Sequence, residues 1–264
     1  MATPSLAEVV DILHEIAPLE LAADWDNVGI VVQAKQKPGK VARVLLCVDL
    51  TLAVVDEAIA ARADLVVAYH PPIFQPLKRL VADGGVREAV LRAAAAGLTV
   101  YSPHTALDAA STGLADWLVE CVLAGLVPKE LRPCGDGEFG RVVTLAKALP
   151  FRTLLQRCKR RFGVRTLTVA RPAKAPSSVR SIAVAAGAGA SVLRGTGADV
   201  WITGELSHHD ALAAVAAGTS VVLAGHSNTE RGFLPVLRRR LAESFDGDLD
   251  VRVARSDRDP FVVV

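Results

Sequence analysis

Cysteine and aromatic side chains are scarce in this chain of 264 residues, which holds four cysteines and 5% aromatic residues. No two cysteines have the CxxC spacing of a zinc ribbon, and four are too few for the dense framework of a disulfide-stapled domain. The four are Cys47, Cys121, Cys134 and Cys158. We therefore expect reduced thiols in a cytoplasmic protein.

Long apolar runs and an excess of one charge are also missing. No stretch approaches the roughly 18 uninterrupted apolar residues of a membrane span, and the first residues, MATPSLAEVVDIL, lack the basic leader of a signal peptide. The 30 basic and 28 acidic residues leave a net charge of +2, which gives no global attraction to nucleic acid or to anionic membranes. Basic runs at 159–161 and 238–240 are more typical of solvated helix faces. The composition predicts a soluble, intracellular protein.

Strand-like and helix-like segments alternate along the chain with short connections, and 51% of the residues are hydrophobic. This alternation favours mostly parallel sheets covered on both faces by helices. Between residues 127 and 140, two prolines and three glycines interrupt the pattern, and we interpret this stretch as a domain boundary. We predict a two-lobed α/β sandwich with mixed, mostly parallel sheets. Its first lobe is 1–126, completed by 220–264, and its second lobe is 136–219.

Three of the apolar, β-branched segments run directly into a histidine: His70, His104 and His226. Ligands of open α/β sheets bind beyond the carboxyl ends of the strands, so these three imidazoles could converge on one crevice. Carboxylates follow two of them at a spacing of four, as Asp108 and Glu230. Imidazole with carboxylate is the ligand set of borderline divalent metals. The pattern therefore predicts a metal site in a cleft at the strand ends.

Each of these side chains also has a structural interpretation. A single histidine at a strand end, such as His70, is more often a hydrogen-bonding group than a ligand. His104 and Asp108 share one face if their segment is helical, but Asp108 could instead cap the following turn. Glu230 could bridge two ions, which two-metal sites hold about 3.5–4 Å apart, or it could complete a capping box. The spacing leaves both interpretations open.

Three further segments carry polar side chains or glycines. For residues 203–210, TGELSHHD, we favour a role beside the ligands or the substrate, with a surface helix start as the alternative. Residues 24–29, DWDNVG, include Trp25, an aromatic of a type that is usually buried. For this segment we favour a self-bonded turn, in which Asp and Asn side chains hydrogen-bond to their own backbone, over metal ligation. Residues 187–191 could cradle an anion, although they lack the complete GxGxxG order. Either Ser227 or Asn228 is expected to cap the last long helix.

Five segments resemble the Nif-three-like family, also called dinuclear metal centre proteins or GTP cyclohydrolase type 2 homologues. They are DWDNVGI, VVAYHPPIF, YSPHTALDAA, WITGELSHHDAL and GHSNTERGFLP, which span residues 24–235 in order. The closing SDRDPF resembles the branch that includes the animal proteins. The resemblance implies two α/β lobes, a two-metal site between them and a homohexameric ring, without the extra middle domain of larger bacterial members.

The resemblance also implies a ligand set. Position by position, its metal ligands are His70, Asp108, His226 and Glu230, with Glu230 bridging. Many bacterial members have a histidine where this chain has Tyr69, and a phenol is a poor ligand unless deprotonated, because its reference pKa is near 10. We therefore expect one or two divalent ions per chain, among which zinc, iron, manganese, magnesium and nickel are not distinguished. His104 is expected to be a substitute ligand or the acid–base group.

The residues and the resemblance together predict metal-dependent hydrolysis of an unknown small molecule, with a metal-bound water as nucleophile. His104 is the expected catalytic acid or base, with His208 or His209 as the alternative. Only the family's name points to a nucleotide-like substrate. The competing hypothesis is a non-catalytic interaction protein, such as a transcriptional co-regulator with a protein partner and a structural metal. A structural site would be closed by four protein ligands, whereas a catalytic site keeps an open position.

Overall fold

The computed structural model describes residues 3–33 and 39–264. In chain order its helices are α1 (Leu6–Ile16), α2 (Leu52–Ala60), α3 (Val86–Ala95), α4 (His104–Ala109), α5 (Leu114–Leu123), α6 (Phe151–Phe162), α7 (Ala190–Leu193), α8 (His208–Ala216) and α9 (Leu234–Glu243). Its strands are β1 (Gly29–Val32), β2 (Arg43–Cys47), β3 (Leu65–Ala68), β4 (Thr99–Ser102), β5 (Pro128–Cys134), β6 (Gly140–Pro150), β7 (Thr168–Ala170), β8 (Ser178–Ala185), β9 (Val200–Thr203), β10 (Ser220–Leu223) and β11 (Asp250–Val253). These elements confirm the predicted α/β class with mixed sheets.

The chain forms two compact units, which we call the first unit (Met1–Leu107 with Phe233–Val264) and the second unit (Asp108–Gly232). Within residues 3–33 and 39–264, each unit contains one sheet. The sheet of the first unit has the strand order β1-β4-β3-β2-β11, in which only β1 is antiparallel to its neighbour. Because β2, β3 and β4 are parallel, their carboxyl ends lie at one edge of this sheet, where ligands of α/β sheets commonly bind.

The hydrophobic pattern of the first unit explains its local structure. Strand β3, LVVA, is buried along its whole length, as is typical of a parallel strand covered on both faces. Helix α1 begins at a capping box, in which the Ser5 side chain accepts from the backbone of Glu8 and the Glu8 side chain accepts from that of Ser5. The capping box satisfies two backbone donors that the first turn would otherwise leave unpaired.

The sheet of the second unit has the order β5-β6-β8-β9-β10-β7. Its central strands β8, β9 and β10 are parallel, and the remaining pairs are antiparallel. A buried apolar cluster that includes Leu154, Cys158 and Ile182 fixes helix α6 on this sheet. The loops that follow β8, β9 and β10 therefore leave the same edge of a rigid sheet.

The stretch 127–140, which we interpreted as a domain boundary, contains regular structure. Pro128–Cys134 is strand β5, which forms a hairpin with β6. Strand β5 pairs on one side only, and an edge strand tolerates proline because its outward N–H groups are not needed by a neighbouring strand. The positive φ angles of Gly135 and Gly137 are those of the hairpin turn.

The compact units divide the chain at positions other than the predicted lobe limits of 126, 136 and 219. Helix α5 packs against α6, β6 and β8, and β10 pairs with β9. Packing of an amphipathic helix and strand pairing are non-local interactions, which hydrophobic periodicity does not reveal. Residues 108–126 and 220–232 consequently lie in the second unit.

The four cysteines are free and buried. Burial raises the pKa of Cys121 and that of Cys158 to about 12, so both thiols stay protonated near neutral pH and neither is a thiolate nucleophile. Among the helices of residues 3–33 and 39–264, none is long and apolar enough to cross a membrane.

Candidate metal-binding residues

The first unit presents two histidines at the carboxyl edge of its sheet. His70 follows β3 and His104 follows β4, and their ring centroids lie 5.5 Å apart. The ring of Tyr69 lies 4.9 Å from that of His70 and 5.5 Å from that of His104, and Tyr69 is only 5% exposed. In this unit Tyr69 packs against both imidazoles.

Both imidazoles are oriented by a carboxylate at Nδ1. His70 Nδ1 lies 2.9 Å from Asp49 Oδ1, and His104 Nδ1 lies 2.8 Å from Asp26 Oδ1. Such a carboxylate fixes the ring orientation and the tautomer, as in the outer sphere of metal sites. It makes Nε2 the candidate ligand atom of each ring.

Asp26 holds the start of the His104 segment in place through hydrogen bonds. Its side chain is fully buried and accepts hydrogen bonds from the backbone N–H and the hydroxyl of Thr105. Burial raises the pKa of Asp26, but the hydrogen bonds from His104 and Thr105 lower it further, so that the pKa lies below its ordinary value. Asp26 also accepts from the N–H of Asn27, as the predicted self-bonded turn requires.

The surroundings of His104 differ from the expectation in one respect. Trp25 was expected to be of the buried type, but it is 62% exposed, so that expectation is wrong. Its ring and that of Phe74 lie edge-on to His104, with centroids 6.3 Å and 6.0 Å away. His104 itself has φ 29°, a left-handed conformation that costs about 1–3 kcal/mol and is typical of functional positions.

The second unit brings His226 and Glu230 together. The two residues flank a short 3-10 turn, Ser227–Thr229, which follows β10. His226 Nε2 lies 3.3 Å from Glu230 Oε1, and His226 Nδ1 lies 3.1 Å from Glu205 Oε1. The Glu230 side chain is 2% exposed and that of His226 is 36% exposed. An oriented, partly exposed imidazole and a buried carboxylate therefore lie side by side.

Hydrogen bonds to Gly187 connect the loops after β8, β9 and β10. The carbonyl of Gly187 accepts from the N–H groups of Gly204 and Glu205 and from the Thr203 hydroxyl, at 2.9–3.0 Å. The N–H of Gly187 donates to the Thr229 hydroxyl at 2.9 Å. These bonds hold Glu205 and the His226–Glu230 turn on one rigid scaffold.

Gly187 also makes room for this pair. Its φ is +54°, and a Cβ at this position would lie 2.8 Å from Glu230 Oε1 and 2.9 Å from His226 Nε2. The interpretation of residues 187–191 as an anion cradle is wrong, because the N–H groups of Gly187 and Gly189 already donate to threonine hydroxyls and a carboxylate faces the loop. The glycine instead leaves space beside two candidate ligand atoms.

The remaining predicted positions fall into two groups. Asp108 lies in α4, one turn after His104, and is 9% exposed; its role as a ligand stays a prediction. His208 and His209 are exposed at the start of α8, which Ser207 caps by accepting from the Asp210 N–H. For these two histidines the surface helix start is the interpretation that fits, whereas Glu205 of the same segment contacts a candidate ligand.

Neither Ser227 nor Asn228 caps the last long helix, so this expectation is wrong. Asn228 donates to the carbonyl of Ala224 at 2.9 Å, and the buried Ser227 hydroxyl makes no hydrogen bond to the described residues. Helix α9 begins only at Leu234, after a 3-10 turn, with Pro235 in its first turn. Two successive tight turns thus separate His226 and Glu230 from the helix.

Comparisons with known proteins agree on one family. Residues 4–260 match the family model described as Duf34/NIF3 (NGG1p interacting factor 3). The chain is 40% identical to "Protein NIF3 homolog" of Schizosaccharomyces pombe over 96% of each chain. It is 38% identical to "NIF3-like protein 1" of Drosophila melanogaster over 98% of this chain and 89% of the relative. A crystal structure of a Bacillus cereus protein related to NIF3 shares the fold, with TM-score 0.84, 20% identity and complete coverage of both chains.

Proposed function

The chain belongs to the Duf34/NIF3 family, and from this premise we propose that it binds a divalent metal ion through His226 and Glu230 of the second unit and, following the family resemblance, through His70. The observation that carries the proposal is the pair in the second unit, where His226 Nε2 and Glu230 Oε1 are 3.3 Å apart. Two imidazoles and a carboxylate suit borderline divalent ions. Following the family resemblance, Asp108 is the proposed further ligand, and Glu230 would bridge if a second ion binds.

The residues present fit such an ion in three respects. His70 and His226 each engage a carboxylate through Nδ1, the arrangement that orients metal-binding imidazoles. Glu230 is a buried carboxylate, which is costly to keep charged unless a cation compensates it. Gly187 keeps the space beside Glu230 and His226 clear.

We propose that the chemistry at this site is hydrolysis of a small, nucleotide-like substrate. A divalent ion would supply Lewis-acid activation of the reacting group. His104 would move a proton at Nε2, because Asp26 holds its Nδ1, and a positioned imidazole is the commonest general acid or base near neutral pH. The exposed rings of Trp25 and Phe74 beside His104 offer apolar contact to a planar substrate group.

Metal analysis and activity on the same preparations test this function. We expect one or two divalent ions per chain in protein purified without a metal-chelating tag, and hydrolysis in a panel of nucleotides that is lost on chelation and regained on reloading. His104→Asn should lower turnover at unchanged metal content, while the exposed control His209→Asn should change neither. Metal-free protein with full hydrolytic activity, or unchanged turnover in His104→Asn, would contradict the proposal. A site closed by four protein ligands, without hydrolysis, would favour the co-regulator.

Glu205→Gln tests the orientation of His226. The substitution keeps the shape of the side chain but weakens its bond to His226 Nδ1, so we expect metal affinity to fall by about 10–100-fold, as for other outer-sphere carboxylates. Competition with a chromophoric chelator measures the affinity. Glu120→Gln removes an exposed carboxylate of the same unit and should leave the affinity unchanged. Wild-type affinity in Glu205→Gln would show that Glu205 does not position the ligand.

We also propose a cytoplasmic location and a homohexamer. Four free, buried cysteines are typical of a reducing compartment, and the hexamer follows from the family resemblance. Light scattering on the native protein should give six times the mass of one chain, and a monomeric mass at micromolar concentration would overturn the hexamer.

A further inference from the structure

A cleft of about 760 Å³ lies in the first unit, lined by residues of α2, α9 and β11 and by the segment that follows β11. Its polar lining consists of Arg238, Arg252, Arg255, Arg258, Glu57 and Ser256. The volume falls within the roughly 300–1,000 Å³ of small-molecule sites. None of these side chains belongs to the histidine–carboxylate set described above.

One arginine of the cleft has a carboxylate partner, and two have none among the described residues. Asp250 pairs with Arg252, at 2.7 Å and 3.0 Å. The guanidinium groups of Arg238 and Arg258 have no hydrogen bond or ion pair within residues 3–33 and 39–264. Among the residues within 3–33 and 39–264 that line the cleft, only Glu57 carries a carboxylate. Apart from the paired Arg252, the cleft is lined by the guanidinium groups of Arg238, Arg255 and Arg258 against one carboxylate. This leaves an excess of positive charge on a concave surface, which concentrates anions.

Glu57 faces the backbone and holds the arginine-bearing segment in place. Its carboxylate accepts from the N–H groups of Arg255 and Ser256 at 2.8–3.0 Å and from the Ser256 hydroxyl at 2.6 Å. Burial raises the pKa of Glu57, but the hydrogen bonds from Ser256 and Arg255 lower it further, so the pKa lies below its ordinary value. The segment is therefore ordered without an anion, and a ligand would not have to order it first.

We propose that this cleft binds a small polyphosphate, a chain of two or three phosphate groups. Guanidinium groups bind phosphate oxygens in a bidentate manner, and three of them around one cleft match a ligand with several adjacent charges. No aromatic ring is among the described lining residues, so a nucleobase would gain no stacking there. The phosphate chain is the part that is recognised, whether it is free or part of a nucleotide.

Arg238 and Arg239 form a matched pair for the test. Both are exposed on α9, but only Arg238 lines the cleft, whereas Arg239 is 3.9 Å from Glu243. Binding affinity is measured by calorimetric titration with inorganic triphosphate at fixed ionic strength. A chelator is present so that the ligand cannot bind through a metal ion. We expect Arg238→Glu and Arg258→Glu each to weaken binding at least about tenfold, and Arg239→Glu less than about twofold, since long-range effects of exposed charges are screened.

Several outcomes separate the ligand sources. Equal affinity for triphosphate and ATP supports recognition of the phosphate chain alone, and tighter binding of ATP supports a nucleotide as its source. Wild-type binding in both cleft variants, or equal losses in all three variants, overturns the site in favour of diffuse charge attraction. No detectable binding of either ligand also overturns it. Thermal melts of each variant verify that these exposed substitutions leave the fold intact.

Discussion

Glu230→Gln is expected to lower metal affinity by more than about a hundredfold. The substitution keeps the size of the side chain and removes the charge from an oxygen that lies 3.3 Å from His226 Nε2. Loss of an outer-sphere partner alone costs about 10–100-fold, and loss of a direct anionic ligand should exceed that. Competition with a chromophoric chelator and elemental analysis of the purified variant measure the effect.

The same variant should leave the metal-free protein at least as stable as the wild type. The Glu230 side chain is 2% exposed, and a buried carboxylate carries a desolvation cost that a neutral amide of the same shape avoids. Denaturant unfolding in the presence of a chelator should therefore give an equal or higher free energy of unfolding. With metal at a hundred times the wild-type dissociation constant, the wild type alone should gain about 2.7 kcal/mol.

Glu243→Gln provides the control, because Glu243 is 69% exposed on α9 and its neutralisation should change neither quantity. A large loss of stability in metal-free Glu230→Gln would identify the carboxylate as a structural group and contradict its role as a ligand. Unchanged metal affinity would remove Glu230 from the site.

The parts of this fold that sequence could predict are those set by local patterns. The capping box at Ser5, the strands that end at His70 and His226, and the pairing of His226 with Glu230 each depend on spacings of a few residues. The periodicities of strands and helices also depend only on residues that are close together in the sequence. The candidate ligand histidines and the α/β class could therefore be predicted from the sequence.

The carboxylates that orient the imidazoles could not be predicted in this way. Asp49 is 21 residues from His70, Asp26 is 78 from His104, and Glu205 is 21 from His226. Such partners meet only because parallel strands end at one edge of a sheet and, for Asp26, because the antiparallel strand β1 begins at that edge. The sequence does not fix which loops become neighbours. Strand β5 was missed for a related reason, since its prolines are acceptable only at a sheet edge.

Gly187→Ala is expected to lower metal affinity by at least about a hundredfold without unfolding the second unit. The added Cβ would lie 2.8 Å from Glu230 Oε1 and 2.9 Å from His226 Nε2, which is closer than van der Waals contact allows. The two side chains must then move apart or turn away. A displacement of about 1 Å in a preorganised site can cost on the order of a hundredfold, so we expect at least that loss in chelator competition.

Replacing glycine by alanine at any left-handed position also destabilises the fold, by about 1–2 kcal/mol. The control variant must therefore carry the same backbone penalty. Gly163 serves for this purpose, because it lies in the same unit with φ +69° and a Cβ added there would have no neighbouring atom within 4 Å among the described residues. Gly163→Ala and Gly187→Ala should lose similar stability, and only Gly187→Ala should lose the metal. Equal metal affinity in the two variants would mean that Glu230 and His226 adapt to the methyl group, and that the space beside them is not where the ion binds.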